Sequence, residues 1–384
     1  MRVAFIAGGL WRGGAEKQLL YMIRALVARG VDVRCYCLTR GDAYEAALGA
    51  LGVRPIWIGR PSHPVFRLVH LAWLMADYRP HVVQSSHFFT NLYAAIGARA
   101  CGALSIGAIR NDTVFELREN GRWGPWLLRL PTVLVANSTA GRDNARLHRR
   151  QPDAVTLLSN VIDLDAFDAV TTDVDIRDRH QVGPIVLGVG RLVRAKRFDR
   201  LLAAIARARF QVPELQAVIV GDGPEREALQ AEAARLGLGD VVRFLGSRSD
   251  VPAIMRQASV FALSSDHEGF PNVVLEAMAA QLPVVATPAG DAAAVLVDGV
   301  TGHVVAADDV NGFADRLAEL ALSPTARRTM GRAGRQRVEQ LFGAESLADR
   351  LIEIYERDGR QRWPAYRQVP MTDAAAARRS GARS

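Results

Sequence analysis

The sequence predicts an α/β protein of two tandem domains, each built on a doubly wound parallel sheet. The chain has 384 residues, which is more than one hydrophobic core usually holds. Short β-branched runs alternate with stretches of helical periodicity, a pattern typical of βαβ units with right-handed crossovers. The alternation stops over the polar stretch 171–182 and then begins again. We therefore expect that stretch to link two separate domains.

The predicted domains are residues 1–170 and 183–342. In the first domain, strands are expected at 3–7, 31–38, 54–58, 82–85, 104–109 and 133–136, with helices at 15–29, 66–78 and 91–101. In the second domain, strands are expected at 184–189, 215–220, 241–245, 260–263 and 284–286, with helices at 199–209, 225–236 and 273–280. A helix at 343–358 is expected to return to the first domain, and 359–384 to form a disordered basic tail. Two such Rossmann-like domains would face a cleft at the carboxyl ends of both sheets, where these folds bind ligands.

The composition excludes several protein classes. With 49% hydrophobic and 23% charged residues, the chain is neither largely disordered nor fibrous. Its three cysteines, Cys35, Cys37 and Cys101, fit neither a disulfide framework nor a CxxC metal site, so we expect reduced thiols. There is no apolar run long enough to span a membrane, and the apolar start is too short for a signal peptide. These features predict a cytoplasmic protein, either free or peripheral on the inner face of the membrane.

The net charge of +8 is concentrated at one end of the chain. Residues 360–384 contain six arginines and one aspartate, so they supply +5 of it. The remaining +3 is too dilute for a nucleic-acid-binding protein. The tail is expected either to be solvated or to contact an anionic membrane surface. A second group of arginines is predicted to lie on one helix, at positions 327, 328, 332, 335 and 337.

Glycine-rich loops follow several predicted strands. Gly13 and Gly14 lie between the first strand and its helix, where backbone N–H groups can approach an anion. The GGxxxGG spacing is not the GxGxxG dinucleotide fingerprint, which argues against an NAD-dependent oxidoreductase. In the second domain, glycines end three successive strands, with Gly190, Gly221 and Gly223 in the first two loops. These loops leave room for a flat ligand across the sheet.

Charged residues accompany these loops. Arg191 and Lys196 place two cations in the first loop, and Lys196 is one of only two lysines beside 46 arginines. Glu268 follows the strand 260–263, and Glu276 lies about one turn into the next helix, whose N-terminal N–H groups suit a diphosphate. Two carboxylates alone would also fit a glycoside hydrolase. The glycines and cations favour a phosphate-bearing ligand instead.

These motifs resemble those of the retaining GT-B glycosyltransferases of family 4. The resemblance covers roughly residues 1–358 and is most specific over EGFPNVVLEAMA at 268–279. It implies the GT-B fold and transfer of a hexosyl or N-acetylhexosaminyl group, with retention of configuration and without a metal or another cofactor. The implied partners are a nucleotide-sugar donor, with UDP preferred over GDP, and a glycan or lipid-linked acceptor in polysaccharide biosynthesis.

The resemblance also implies residue roles. Arg191 and Lys196 would bind the diphosphate and stabilise the charge of the leaving group, as a metal does elsewhere. Glu268 would face the donor sugar, and Glu276 would bind the ribose. His87 would lie near the reacting sugar, although a histidine at a strand end is otherwise a structural hydrogen-bonding residue. Further donor contacts are implied at Gly13, Gly14, Gly190, Gly221, Gly223, Phe270, Pro271, Asn272 and Val273.

Other interpretations remain open at this point. The main alternative is a GT-B-fold nucleotide-sugar epimerase that acts without an acceptor. A phosphorylase is disfavoured because two lysines leave little for a pyridoxal cofactor. Asp163 and Asp165 imitate a metal-binding Asp-x-Asp motif, but their place between domains indicates a coincidence. Trp123 and Trp126 lie among arginines at 115–130, which fits either a buried helix or a surface for membrane or carbohydrate.

Overall fold

The computed structural model describes residues 1–59, 63–111, 113–177 and 183–362, with side chains described as far as residue 360. Contacts divide the chain into two compact units. The first unit contains residues 1–161 and the segment from residue 344 onward, and the second contains residues 162–343. The basic tail from residue 363 onward lies outside the described residues, as does part of the expected linker, 178–182.

The first unit is built on a seven-stranded parallel sheet with strand order β3-β2-β1-β4-β5-β6-β7. Its strands are β1 Arg2–Ala7, β2 Asp32–Cys37, β3 Ile56–Trp57, β4 Val82–Ser85, β5 Leu104–Ile109, β6 Val133–Ala136 and β7 Val155–Leu157. Alternate residues of β1 belong to two different hydrophobic clusters, Val3 and Phe5 to one and Ala4 and Ile6 to the other. The sheet is therefore covered on both faces, as parallel sheets are.

Helices cover those two faces. In chain order they are α1 Gly14–Ala28, α2 Glu45–Ala50, α3 Pro64–Tyr78, α4 Asn91–Cys101, α5 Thr113–Glu119, α6 Gly124–Arg129 and α7 Thr139–His148. Helix α1 buries Leu19, Ile23 and Leu26 against the sheet, at the spacing of one helical face. Each such fully buried side chain contributes about 1.5–3 kcal/mol relative to an exposed one.

The second unit repeats this architecture with six parallel strands in the order β10-β9-β8-β11-β12-β13. Its strands are β8 Ile185–Val189, β9 Gln216–Val220, β10 Val242–Gly246, β11 Val260–Leu263, β12 Val284–Ala286 and β13 Gly302–Val304. Its helices are α8 Leu164–Asp168, α9 Phe198–Ala208, α10 Arg226–Arg235, α11 Val251–Met255, α12 Asn272–Ala279, α13 Ala292–Val295, α14 Val310–Leu322 and α15 Pro324–Leu341.

The last helix, α16 Leu347–Arg362, packs in the first unit. Leu347, Leu351 and Ile354 join the hydrophobic cluster beneath α1. The hydroxyl of Tyr355, a fully buried residue, donates a hydrogen bond of 2.5 Å to Oε1 of Gln84 on β4. The chain therefore crosses back after residue 343, and its C-terminal helix completes the core in which the chain began.

The boundary expected at residue 170 was wrong. Ile162, Leu164 and Phe167 are buried in a hydrophobic cluster with strands of the second sheet, so residues 162–170 belong to the second unit. The described part of the expected linker is not free either, because Ile176 is fully buried in the same cluster. Asp163 caps α8 by accepting a hydrogen bond of 3.0 Å from the backbone N–H of Ala166, which gives it a structural role.

The sequence pattern did not predict β7 and β13. Each has three residues and lies at one end of its sheet. A run of three is too short to show a strand periodicity. Within the described residues, no helix combines the length and the hydropathy that crossing a membrane requires.

Candidate functional site

Each sheet has a topological switch point where the strand order reverses. In the first unit it lies between β1 and β4, and in the second it lies between β8 and β11. Loops that leave neighbouring strands diverge there, which opens a crevice at the carboxyl ends of the strands. The loops at these two points carry most of the residues that the sequence identified.

In the second unit, the loops after β8 and β9 touch through their backbones. Gly221 has φ +142°, and a Cβ placed on it would lie 1.8 Å from the carbonyl oxygen of Gly190. Gly223 has φ +159°, and its Cβ would lie 2.4 Å from the carbonyl oxygen of Leu192. The backbone N–H of Leu192 donates to the carbonyl of Asp222 at 2.9 Å. The glycines at 221 and 223 thus permit an approach that a side chain would block.

Lys196 and Glu268 form an ion pair across the second switch point. Nζ of Lys196 donates to Oε1 of Glu268 at 2.5 Å, and the two side chains are 24% and 11% exposed. Oγ of Ser265 donates to the same carboxylate oxygen at 2.7 Å. Because Lys196 follows β8 and Glu268 follows β11, the neighbouring position of these strands brings together two residues that are 72 apart in the chain.

An arginine network fixes the loop that carries Glu268. Arg200, which is buried, donates from Nη1 to the carbonyl of Ser264 and from Nη2 to Oδ1 of Asp266, both at 2.6 Å. Nη1 of Arg197 donates to Oδ2 of Asp266 at 3.1 Å. Burial alone would raise the pKa of Asp266, but hydrogen bonds from the two guanidinium groups lower it. The carboxylate therefore stays ionised and holds the loop against α9.

Helix α12 begins beside this loop. Phe270 and Pro271 are buried, and Asn272 is the first helical residue. Pro271 occupies the N-cap position, and no side chain caps the helix there. The first backbone N–H groups of such a helix have no partner within the helix, and they carry its positive dipole end. Val273 and Glu276 lie in the first two turns, and both are half-buried. The helix start, Lys196 and exposed Arg191 together give this unit several donors suited to an anion.

A pocket of about 490 Å³ is lined partly by the Lys196 loop but not by Lys196 itself. Arg194, Arg197, Asp199, Glu225 and Asp266 line it, together with three apolar residues. The predicted donor-binding residues are not among those that line it. Its mixed charges belong mainly to the network that holds the Glu268 loop.

In the first unit, His87 is held by three groups around the switch point. Its Nδ1 accepts a hydrogen bond of 3.3 Å from the backbone N–H of Gly8 and lies 2.9 Å from Oγ of Ser86. Nε2 then carries the proton and donates to Oε1 of Glu16 at 3.0 Å. The ring also stacks on Phe89 with centroids 5.4 Å apart. His87 is therefore a well-positioned residue with its Nε2–H directed at a carboxylate.

Glu16 explains the glycine that precedes α1. A Cβ on Gly13 would lie 2.3 Å from Oε2 of Glu16, so the carboxylate folds back over the helix start. Glu16 is 7% exposed. Gly13 and Gly14 lie at the N-terminus of α1 as expected, but this terminus already has an acidic side chain against it.

The sequence interpretation missed two ionisable residues that follow β5, the half-buried Arg110 and the buried Glu116. Arg110 follows β5 and donates from Nε to the carbonyl of Ser86 at 3.1 Å. Burial lowers its pKa to about 10, and Nη2 has no hydrogen-bond partner. Burial also raises the pKa of Glu116 to about 7. No motif marks either residue. Arg110 contacts the β4 loop because β5 lies beside β4 in the sheet, and Glu116 lies close to Arg110.

The structure thus groups the predicted residues into two sets. Gly190, Lys196, Gly221, Gly223 and Glu268 lie together in the second unit, near the start of α12. Ser265 and Gly290 were not predicted: the former bonds Glu268, and a Cβ on the latter would lie 2.6 Å from the carbonyl oxygen of Glu268. Gly13, Gly14 and His87 belong to the first unit. Among the described side chains, no group of three or more histidine, cysteine or acidic residues has a metal-binding arrangement.

Comparison with known proteins identifies similar proteins for both units. The family model described as glycosyl transferases group 1 matches residues 173–337, and that of glycosyltransferase family 4 matches residues 12–166. The lipopolysaccharide core biosynthesis glycosyltransferase LpsE of Rhizobium meliloti is 32% identical over 171 residues, which are 44% of this chain and 49% of that protein. The chain thus spans about half the length of this and other curated relatives that it matches.

Other similarities extend over more of the chain. The D-inositol 3-phosphate glycosyltransferase of Streptomyces scabiei is 30% identical over 370 residues, which are 89% of this chain and 79% of that protein. Among solved structures, Anabaena HepE in complex with UDP and glucose has a TM-score of 0.80 at 20% identity, covering 92% of this chain and 98% of that one. The two parallel-sheet units are those of the GT-B fold. On the family models and the long similarity to the Streptomyces protein, this chain belongs to the group 1, family 4 glycosyltransferases.

Proposed function

We propose that this protein transfers a hexosyl or N-acetylhexosaminyl group from a nucleoside diphosphate sugar to a glycan or lipid-linked acceptor. The transfer retains the anomeric configuration and uses no metal ion. The observation that carries the proposal is the Lys196–Glu268 ion pair, set among touching glycine loops at the switch point of the second sheet. Such a site brings a cation, backbone without side chains and a carboxylate to one crevice. A nucleotide sugar requires such groups for its phosphates and its hydroxyls.

The donor diphosphate is the natural ligand of the cations in this unit. Lys196 and Arg191 would neutralise the charge that grows on the diphosphate as the bond to the sugar breaks. Backbone N–H groups around Phe270–Val273, at the start of α12, would bind the remaining phosphate oxygens. When a phosphate attracts Lys196, Glu268 is released from its ion pair and becomes free to bind hydroxyls of the sugar. Glu276 would bind the ribose hydroxyls.

The first unit would supply the remaining groups. His87 would contact the reacting sugar through its Nε2–H, which Glu16 now accepts. Gly13 and Gly14 would contact the donor through their backbone at the start of α1, where the Glu16 carboxylate also lies. Before the sugar binds, Glu16 would act as a positioning residue that accepts the Nε2–H of His87, while the N–H of Gly8 fixes the tautomer by donating to Nδ1.

Relatives support an acceptor that is a lipid or a polysaccharide precursor, but they differ in donor, since a mannosyltransferase of Mycolicibacterium smegmatis that is 35% identical over 199 residues is named as GDP-mannose-dependent. HepE is described in complex with UDP and glucose. LpsE is named for lipopolysaccharide core biosynthesis. We propose a UDP-sugar in preference to a GDP-sugar, which the comparison of the two nucleotides below tests, and an acceptor of the same general class as that of LpsE.

We also propose that α5 and α6 contact an anionic membrane surface. Trp123 and Trp126 are 61% and 64% exposed, which excludes the expectation that they are buried in a core. Val114 and Phe115 are exposed beside them, and exposed arginines lie between at positions 118, 122 and 129. Tryptophan with arginine is the combination that suits a lipid–water interface.

The test is donor binding measured by thermal shift, with UDP and GDP and with or without EDTA. A ligand at 100 times its Kd adds about 2.7 kcal/mol of stability. We expect UDP to stabilise the protein and EDTA to have no effect. Lys196→Ala should weaken UDP binding at least tenfold. Arg194→Ala, which removes a cation from the same loop, should retain it. Equal UDP affinity in the wild type and Lys196→Ala would refute the proposed site.

A further inference from the structure

A second pocket of the second unit lies outside the proposed donor site. Four arginines line it, and we call it the arginine pocket: Arg177, Arg327, Arg328 and Arg332. Its volume is about 350 Å³, within the range of small-molecule sites. Three of these residues lie in the first half of α15, and Arg177 comes from the stretch before β8.

The arginine pocket lies at the opposite edge of the sheet from the glycine loops. Ser259 lines it and directly precedes β11, and Pro283 lines it and directly precedes β12. Because the strands are parallel, their amino ends share one edge, and their carboxyl ends, with Lys196 and Glu268, share the other. A ligand here would not compete with a donor at the switch point.

Positive charge in this pocket is not compensated by the described residues. None of its described lining residues is acidic. Within the described ranges, no ion pair joins any of the four arginines to a carboxylate. Burial lowers the pKa of Arg327, and the charges of Arg328 and Arg177 lower it further. Arg328 and Arg332 are also four residues apart on one helix, where like charges repel.

Two of the four guanidinium groups are already held by backbone carbonyl oxygens, and Nη2 of Arg328 donates to Oγ1 of Thr325 at 3.4 Å. Nη1 of Arg327 donates to the carbonyl oxygens of Leu320 and Ala321 at the end of α14, at 2.7 and 2.6 Å. Nη2 of Arg177 donates to the carbonyl of Gln257 at 3.2 Å. Only one nitrogen of each group is used in these contacts, so others remain to donate. Arg328 and Arg332 are exposed.

We propose that the arginine pocket binds a phosphate-bearing anion, at a site separate from the donor. Guanidinium groups match phosphate oxygens with paired, charge-assisted hydrogen bonds. A bound phosphate would also remove the repulsion among the four like charges. The phosphate belongs either to a soluble compound or to a lipid headgroup, and the experiment distinguishes these sources.

The test is calorimetric titration of the full chain with inorganic pyrophosphate. It is done in a Lys196→Ala background, so that the proposed donor site contributes little. We expect Arg328→Gln with Arg332→Gln to weaken binding at least tenfold. Arg54→Gln with Arg99→Gln removes two exposed charges from the first unit and should leave the affinity within twofold. Equal weakening in both double variants would show a general charge effect and overturn the proposal, as would no weakening in either.

The source of the phosphate follows from a second measurement on the same variants. Sedimentation with phosphatidylcholine vesicles that contain phosphatidylglycerol reports headgroup binding. If Arg328→Gln with Arg332→Gln weakens both pyrophosphate binding and sedimentation, the ligand is a lipid headgroup. If it weakens pyrophosphate binding alone, the ligand is a soluble phosphate compound. Unchanged pyrophosphate affinity overturns the proposal whatever the vesicles do.

Discussion

Replacing Gly221 by alanine should destabilise the second unit far more than the same change at Gly237. Both glycines have positive φ, +142° and +70°. A Cβ at Gly237 meets nothing within 4 Å, whereas a Cβ at Gly221 would lie 1.8 Å from the carbonyl oxygen of Gly190. The pair therefore separates the conformational cost of losing glycine from the cost of driving two loops apart.

The expected loss of stability in each variant follows from the contacts that the substitution breaks. An L-residue in a left-handed conformation costs about 1–2 kcal/mol, which is all that Gly237→Ala should lose. In Gly221→Ala, the loops after β8 and β9 must also separate. Four backbone hydrogen bonds of 2.8–3.0 Å join these loops to each other and to Gly246. At about 0.5–1.5 kcal/mol each, their loss brings the total to about 3–8 kcal/mol.

The assay is urea unfolding of both variants, with UDP binding measured alongside. We expect Gly221→Ala to lose at least about 2 kcal/mol more than Gly237→Ala and to lose UDP affinity as well, because the same loops form the proposed donor site. If the free energies of unfolding of the two variants agree within about 0.5 kcal/mol, the loops are not held together as described, and the reasoning from backbone contact fails.

Three further predictions concern the first unit. Trp123→Ser with Trp126→Ser should reduce sedimentation with anionic vesicles at least fivefold, whereas Phe210→Ser, which removes an even more exposed aromatic residue from the second unit, should have no effect. Equal sedimentation of all variants would exclude α5 and α6 as the contact surface. Burial raises the pKa of Glu116 from 4.5 to about 7, so the folded state binds this proton more tightly than the unfolded state does. The contribution of Glu116 to the free energy of unfolding is therefore complete below pH 4.5 and is lost as the pH rises through 7. Between pH 5 and 8, the free energy of unfolding of the wild type in urea should fall by on the order of 3 kcal/mol relative to that of Glu116→Gln. A difference between the two proteins that does not change with pH would contradict the raised pKa. Leu351→Ala should lower the free energy of unfolding by about 2–5 kcal/mol, since this fully buried residue of α16 lies in the core under α1. A decrease below about 1 kcal/mol in urea unfolding would show that the helix is dispensable for stability.

Much of the fold was predictable because it depends on local pattern. Hydrophobic runs with helical spacing between them located eleven strands to within about two residues at each end, and glycines marked the loops that follow them. The three-residue strands β7 and β13 were not predictable, since a run of that length has no periodicity. The domain boundary was misplaced because polarity alone marked it, while buried Ile176 lies within that polar stretch.

The candidate site was predictable only in its parts. The glycines, Lys196, Glu268 and His87 could each be identified by residue type and by place after a strand. That Lys196 pairs with Glu268, and His87 with Glu16, depends on which strands are neighbours in the two sheets. By itself the sequence determined the elements and the chemical groups at their ends. The tertiary structure decided which groups meet, and it placed Arg110 against the loop that carries His87, because packing across a sheet joins residues that no local pattern relates.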